Sequence, residues 1–194
     1  MKFKRKSIRL KNYDYSESNA YFVTICTQDR KCFLSSIIKG ESLLSDVGLM
    51  AREIWNLLPQ RFSSVILDEI VVMPNHIHGI IFLQRVGTRP TPTIGQIVGA
   101  FKSITTNEYI ERVKHADWPT FNKSFWQRNY FERIIRSETE LFETRKYVQE
   151  NPLNWNSDPE NVFGVGAPLV GALFHKNENK RAGTRPAPTA KTFA

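Results

Sequence analysis

The chain has 194 residues and 41% hydrophobic content, enough for one globular domain with a sizeable core, and it carries no apolar run long enough to cross a bilayer. Its 27 Lys and Arg against 19 Asp and Glu leave a net charge of +8, an excess that attracts a polyanion through counterion release. Two cysteines, Cys26 and Cys32, are too few for a disulfide framework or a thiolate metal site, and a basic, polar N-terminus without a signal-peptide apolar region makes the cytoplasm the expected compartment.

The chain opens on a basic arm, with Lys2, Lys4, Arg5, Lys6, Arg9 and Lys11. Such an arm is either solvated or held against nucleic acid. Residues 20–27 read as a first strand. Residues 45–58 read as a helix capped by Ser45, apolar at Val47, Met50, Ala51, Ile54, Leu57 and Leu58, and closed by Pro59. Two strands follow, over 64–73 and 76–83; the short break at Pro74-Asn75 makes them an antiparallel hairpin. A second helix starts at Ile94 behind the capping box Thr93/Gln96, burying Ile97, Val98, Phe101 and Ile104. A fourth strand is expected over 124–136, and a third helix over 137–151, capped by Ser137 with Glu140 and stopped at Asn151-Pro152.

This order, β-α-β-β-α-β-α, predicts an α+β fold of ferredoxin-like type, an antiparallel sheet with helices packed on it. Residues 1–160 are expected to form the domain. Residues 161–194, rich in Gly, Ala, Pro and Lys, are expected to be a flexible tail. There, residues 183–189 repeat residues 87–93 with one change, Ala187 for Thr91. The codons of residues 166–172 can also form a small DNA hairpin, although Gly, Ala and Pro codons are always G and C rich.

Inside the apolar run 71–83 stand His76 and His78, two of the four histidines in the chain. Alternate strand residues share a face, so these imidazoles project side by side and can supply two ligands to one metal ion. A third ligand has to come from elsewhere, and without one they read as two histidines at a strand start. On the third helix Tyr147 and Asn151 are spaced i, i+4 and share a face. Taken alone, Tyr147 is a helix tyrosine covering the sheet.

Both segments resemble the histidine-hydrophobic-histidine tyrosine transposases of single-stranded DNA, in particular the branch associated with repetitive extragenic palindromes (REP). The matching pieces run in order: Arg5 to Leu10, Tyr21 to Thr27, Met73 to His78, Val98 to Ser103, Trp126 to Tyr130 with Ile134 to Arg136, and Tyr147 to Pro152. The resemblance implies that Tyr147 attacks a phosphodiester of single-stranded hairpin DNA and forms a 5′-phosphotyrosine link. It implies that His76, His78 and Asn151 hold the metal, with Mg²⁺ and Mn²⁺ both suited to an amide oxygen and imidazoles tilting the choice toward Mn²⁺. Glu150 is a rival third ligand and Tyr130 a rival nucleophile.

For DNA contact the expected residues are Lys102 and Arg128, the arm residues Arg5, Lys6 and Arg9, and Trp126 either stacked on a base or packed in the core. Three activities follow for test: a strand-transferring transposase, a domesticated hairpin-binding protein without cleavage, and a metal-dependent hydrolase using water. Insertion-sequence relatives dimerise, while the palindrome-associated branch is compatible with a monomer, so the oligomeric state stays open.

Overall fold

The computed structural model describes residues 20–87 and 90–161. The expected tail over 161–194, its repeat, the codon hairpin and the arm residues Arg5, Lys6 and Arg9 lie outside them, residue 161 apart. In chain order the elements are β1 (Ala20–Cys26), β2 (Ser35–Ile38), β3 (Glu41–Leu44), α1 (Asp46–Asn56), α2 (Leu58–Arg61), β4 (Val65–Val72), β5 (His76–Leu83), α3 (Ile94–His115), β6 (Phe131–Ile135) and α4 (Glu138–Glu150).

The main sheet has the order β4-β5-β1-β6, antiparallel at every pairing. Two split β-α-β units with their central strands adjacent give this order, which is the expected ferredoxin-like arrangement. Period-2 alternation then assigns each side chain to a face. Tyr21, Val23, Ile25, Ile77 and Ile81 point toward α1 and α3 and join Val47, Trp55, Ile97 and Phe101 in the large core. Phe22, Thr24, His78, Ile80 and Arg133 point to the opposite face, which α4 covers with Val148.

Gly79 belongs to the first face because Trp55 occupies the place of its side chain. A Cβ there would lie 2.4 Å from the indole. Local signals fix the helix starts: Ser45 accepts from the Gly48 N–H at 3.1 Å, and Thr93 with Gln96 forms the complete capping box.

Three expectations change. The first helix ends at Asn56 and not at residue 58, and Pro59 sits in the first turn of the short α2, where its missing N–H costs nothing. The hairpin β2-β3 was not expected. Its turn, Lys39-Gly40, has both φ positive, at 52° and 80°, the geometry a tight two-residue hairpin requires. The fourth strand covers Phe131–Ile135 and not 124–136. Residues 127–129 are irregular because their carbonyls turn to the Lys102 ammonium, at 2.9 Å from Gln127, 3.4 Å from Arg128 and 3.0 Å from Asn129.

Candidate active site

His76 and His78 begin β5 in the middle of the sheet, opposite Cys26 and Thr24 of β1. Both are buried, at 0% and 2% exposure, and their Nε2 atoms lie 3.0 Å apart. The far side of each ring has its own partner. His76 Nδ1 lies 2.8 Å from Asn75 Oδ1, and because the Asn75 amide nitrogen donates to the Glu160 carbonyl, the oxygen faces the ring. That assigns the proton of His76 to Nδ1 and leaves Nε2 with a lone pair. His78 Nδ1 lies 2.8 Å from Thr24 Oγ1, a hydroxyl able to accept or donate.

Burial pushes the pKa of both histidines down to about 3, assisted at His76 by Arg30 and at His78 by His76, with Asp158 opposing at His78. At neutral pH both are therefore neutral imidazoles, the form that ligates metal.

Helix α4 is positioned over this pair by contacts to both edges of the sheet. Arg145 donates twice to Asp68 of β4, at 2.9 and 2.6 Å, and Gln149 donates to Glu69 at 2.9 Å. On the other side Arg133 of β6 donates to Thr144 at 3.1 Å. Thr144, Val148 and Asn151 form the buried stripe, and Tyr147 flanks it at 44% exposure. Its hydroxyl lies 3.4 Å from His78 Nε2, a long contact for a hydrogen bond. Burial raises the phenol pKa, Asp158 adds to this, and a hydrogen bond with Asn151 opposes it.

Asn151 is 2% exposed; its amide nitrogen donates to Asp158 at 3.0 Å, while its Oδ1 is buried and has no hydrogen-bond partner. Asp158 arrives from the segment after α4, where Trp155 places its ring 6.0 Å from His76. Ligand atoms of His76, His78 and Asp158 lie within 4.8 Å of one another, so these three residues form a buried group able to hold a metal ion.

The donor set fits a divalent ion: two neutral imidazole nitrogens, a carboxylate and an orphaned amide oxygen, which would otherwise cost its full desolvation penalty. Beside Tyr147 opens a cavity of about 440 Å³, bordered by Phe22, Phe131, Arg133 and Glu143.

The structure thus brings together His76, His78, Tyr147 and Asn151. It places other predicted residues elsewhere. Trp126 is a core residue at 4% exposure, its indole N–H donating to Thr105 at 2.7 Å, so of the two expected placements, stacked on a base or packed in the core, it takes the second. Lys102 directs its ammonium at loop carbonyls and over the Tyr130 ring, and burial lowers its pKa to about 8; it braces the loop that carries exposed Arg128 and is not displayed to a phosphate. Tyr130 donates to Glu132 at 2.6 Å, and Glu150 is exposed, off the buried stripe.

Asp158 escaped the sequence reading because it lies in a loop with no periodicity. Phe131 and Arg133 had a signal, alternation along a strand, obscured by the overlong strand assignment.

A profile described as "Transposase IS200 like" matches residues 15–151, well over half of the chain. The chain belongs to the IS200-like transposase family. Membership makes it a DNA-processing enzyme of the transposase class. An uncharacterized protein of Haemophilus influenzae is 36% identical over 176 residues, covering 79% of this chain and 91% of its own length. The structure of a REP-associated tyrosine transposase bound to a REP hairpin has the same fold, at TM-score 0.53 and 16% identity, over 78% of this chain and 81% of that one. No helix among the described residues of this IS200-like transposase is long and apolar enough to cross a membrane.

Proposed function

We propose that the chain cleaves and rejoins single-stranded hairpin DNA of the palindromic-repeat class, with Tyr147 as nucleophile and a divalent ion held by His76, His78 and Asn151. The observation that carries the reading is the Tyr147 hydroxyl 3.4 Å from His78 Nε2, with Asn151 bound through its amide nitrogen to Asp158, which shares one cluster with both histidines. The hairpin-bound relative of the same fold and the net charge of +8 support hairpin DNA as the partner.

In the proposed step the Tyr147 oxygen attacks the phosphorus. The new bond is phenol oxygen to phosphorus, the broken bond is phosphorus to the 3′-oxygen, and the phenol's proton is balanced by protonation of the released 3′-hydroxyl. The 5′-phosphotyrosine keeps the energy of the phosphodiester, so a hydroxyl of the same or another strand reverses the step. Mn²⁺ or Mg²⁺ at this donor set supplies Lewis-acid stabilisation of the phosphate.

The protein's own part is positional. The anchors from α4 to β4 and β6 set the phenol beside the histidines, and burial keeps those histidines neutral at working pH. A carboxylate at Asp158 adds a charged oxygen donor. Arg128 and the arm residues Arg5, Lys6 and Arg9 serve as backbone contacts, which fix register more than sequence. The protein works in the cytoplasm, as a monomer or a dimer, with domain 1–160 as the catalytic part.

The test is incubation of the protein and its Tyr147→Phe variant with a labelled single-stranded hairpin from DNA flanking the gene, with Mn²⁺ or Mg²⁺, followed by denaturing electrophoresis. A metal-dependent covalent adduct lost in the variant is expected. Cleavage that survives Tyr147→Phe would mean a water-using hydrolase, and tight binding without cleavage would mean a hairpin-binding protein.

A further inference from the structure

We infer that the cavity beside Tyr147 is a subsite for one unpaired nucleobase next to the scissile phosphate, stacked on Phe131. The inference rests on the proposed action on single-stranded DNA and names how the strand is held there.

A row of rings leads from the site to the sheet edge: the Phe22 ring lies 5.1 Å from His78, 5.9 Å from Tyr147 and 6.3 Å from Phe131. Phe22 is the buried floor at 7% exposure, whereas Phe131, on the edge strand β6, is 48% exposed and open to a ligand. An isolated exposed phenylalanine would need no explanation. This one borders a cavity of about 440 Å³ that also contains His78 and Tyr147, a size within the small-ligand range. A phosphate reached by the phenol carries its flanking nucleotide into that space.

The charges of the walls orient what enters. Arg133, two residues along the same face, has a half-exposed guanidinium already held by Thr144 at 3.1 Å and by Glu140 at 3.5 Å, so it is ordered before a phosphate arrives. Glu143 and Glu160 border the cavity as well. Glu160 is paired with Arg30, so the carboxylate that repels a second phosphate is Glu143, leaving the base as the part of the nucleotide that fits. Stacking of a base on an aromatic side chain tolerates any base identity, so this subsite grips the strand without choosing its sequence.

The test is an abasic scan of binding. The full-length Tyr147→Phe protein is titrated with hairpin oligonucleotides from DNA flanking the gene, in which each unpaired nucleotide in turn is abasic. One position is expected to weaken binding roughly tenfold, and in the Tyr147→Phe, Phe131→Ala protein the same change is expected to cost nothing further, because stacking is worth on the order of tenfold per base. Phe131→Trp restores the penalty.

An abasic penalty of the same size in the Phe131→Ala protein, or no penalty at any position, overturns the inference. Because the readout is binding by a protein that lacks the proposed nucleophile, failure of cleavage and failure of this subsite are separate results.

Discussion

The two faces of the sheet carry different loads. Toward α1 and α3 the face is continuously apolar, from Tyr21 and Ile25 through Ile77 to Trp55 and Phe101, and every one of these side chains is fully buried. Toward α4 the apolar cluster is small, with Ala20, Phe22, Ile80, Ile135 and Val148, and the remaining space holds His76, His78, Asn151 and Asp158. Each face holds a buried polar atom without a partner, Trp55 Nε1 on the first and Asn151 Oδ1 on the second, but an indole N–H can only donate, so only the amide oxygen is available as a metal donor.

The sharpest way to break this division is to alter each face in turn. Tyr147→Phe is expected to abolish covalent adduct formation, a loss of about 10⁴-fold or more for removal of a nucleophile. Its urea midpoint should stay near the parent value, since the half-exposed hydroxyl makes a long contact to His78 and a single hydrogen bond with Asn151. A midpoint that drops substantially would make the tyrosine a structural residue. On the other face Trp55→Ala removes a fully buried indole and is expected to cost about 3–5 kcal/mol of stability. Adduct formation per folded molecule should then persist, measured below the new midpoint. Loss of chemistry in a demonstrably folded Trp55→Ala protein would erase the distinction between the faces.

How far the sequence foretells each face follows from the kind of signal each uses. The strands 65–72 and 76–83, the caps at Ser45, Thr93 and Ser137 and the pairing of His76 with His78 depend on neighbours within a few residues, and all are legible in order along the chain. The surroundings of Lys102 and Trp126 could not be read locally, because they depend on partners 25 and 21 residues away, the Gln127 carbonyl and the Thr105 hydroxyl. Basic and aromatic types suggest DNA equally well whether displayed or buried. Asp158 is invisible for the same reason: only the turn after Pro152 returns it to the histidines. The β2-β3 hairpin had a local signal at Lys39-Gly40, weak beside Asn-Gly because lysine rarely takes positive φ.

A smaller effect sharpens the comparison on the polar face itself. Thr24 meets His78 through Nδ1, and an outer hydrogen bond of this kind fixes ring orientation and ligand basicity. Thr24→Val is expected to weaken Mn²⁺ binding by about 10–100-fold in calorimetric titration while hardly moving the fold, because valine keeps the shape. If Thr24→Val binds Mn²⁺ as the parent does, His78 is not a ligand oriented through Nδ1.

The smallest effect is in the pH dependence of stability without added metal. Burial lowers His76 and His78 from 6.5 to about 3. Between those values the unfolded chain binds protons that the folded protein refuses, so this contribution to stability is full above pH 6.5 and declines as pH falls toward about 3. Each proton contributes a slope of roughly 1.4 kcal/mol per pH unit at most. Urea midpoints measured from pH 7.5 down to pH 4.5 should therefore fall in the parent and fall less steeply in His76→Gln, His78→Gln. Trp55→Ala, by contrast, should lower the midpoint by a similar amount at every pH, because it removes packing and no titrating group. If the double glutamine variant keeps the parent's slope, the acid sensitivity does not come from the two histidines, and the histidine face is as indifferent to protons as the apolar one.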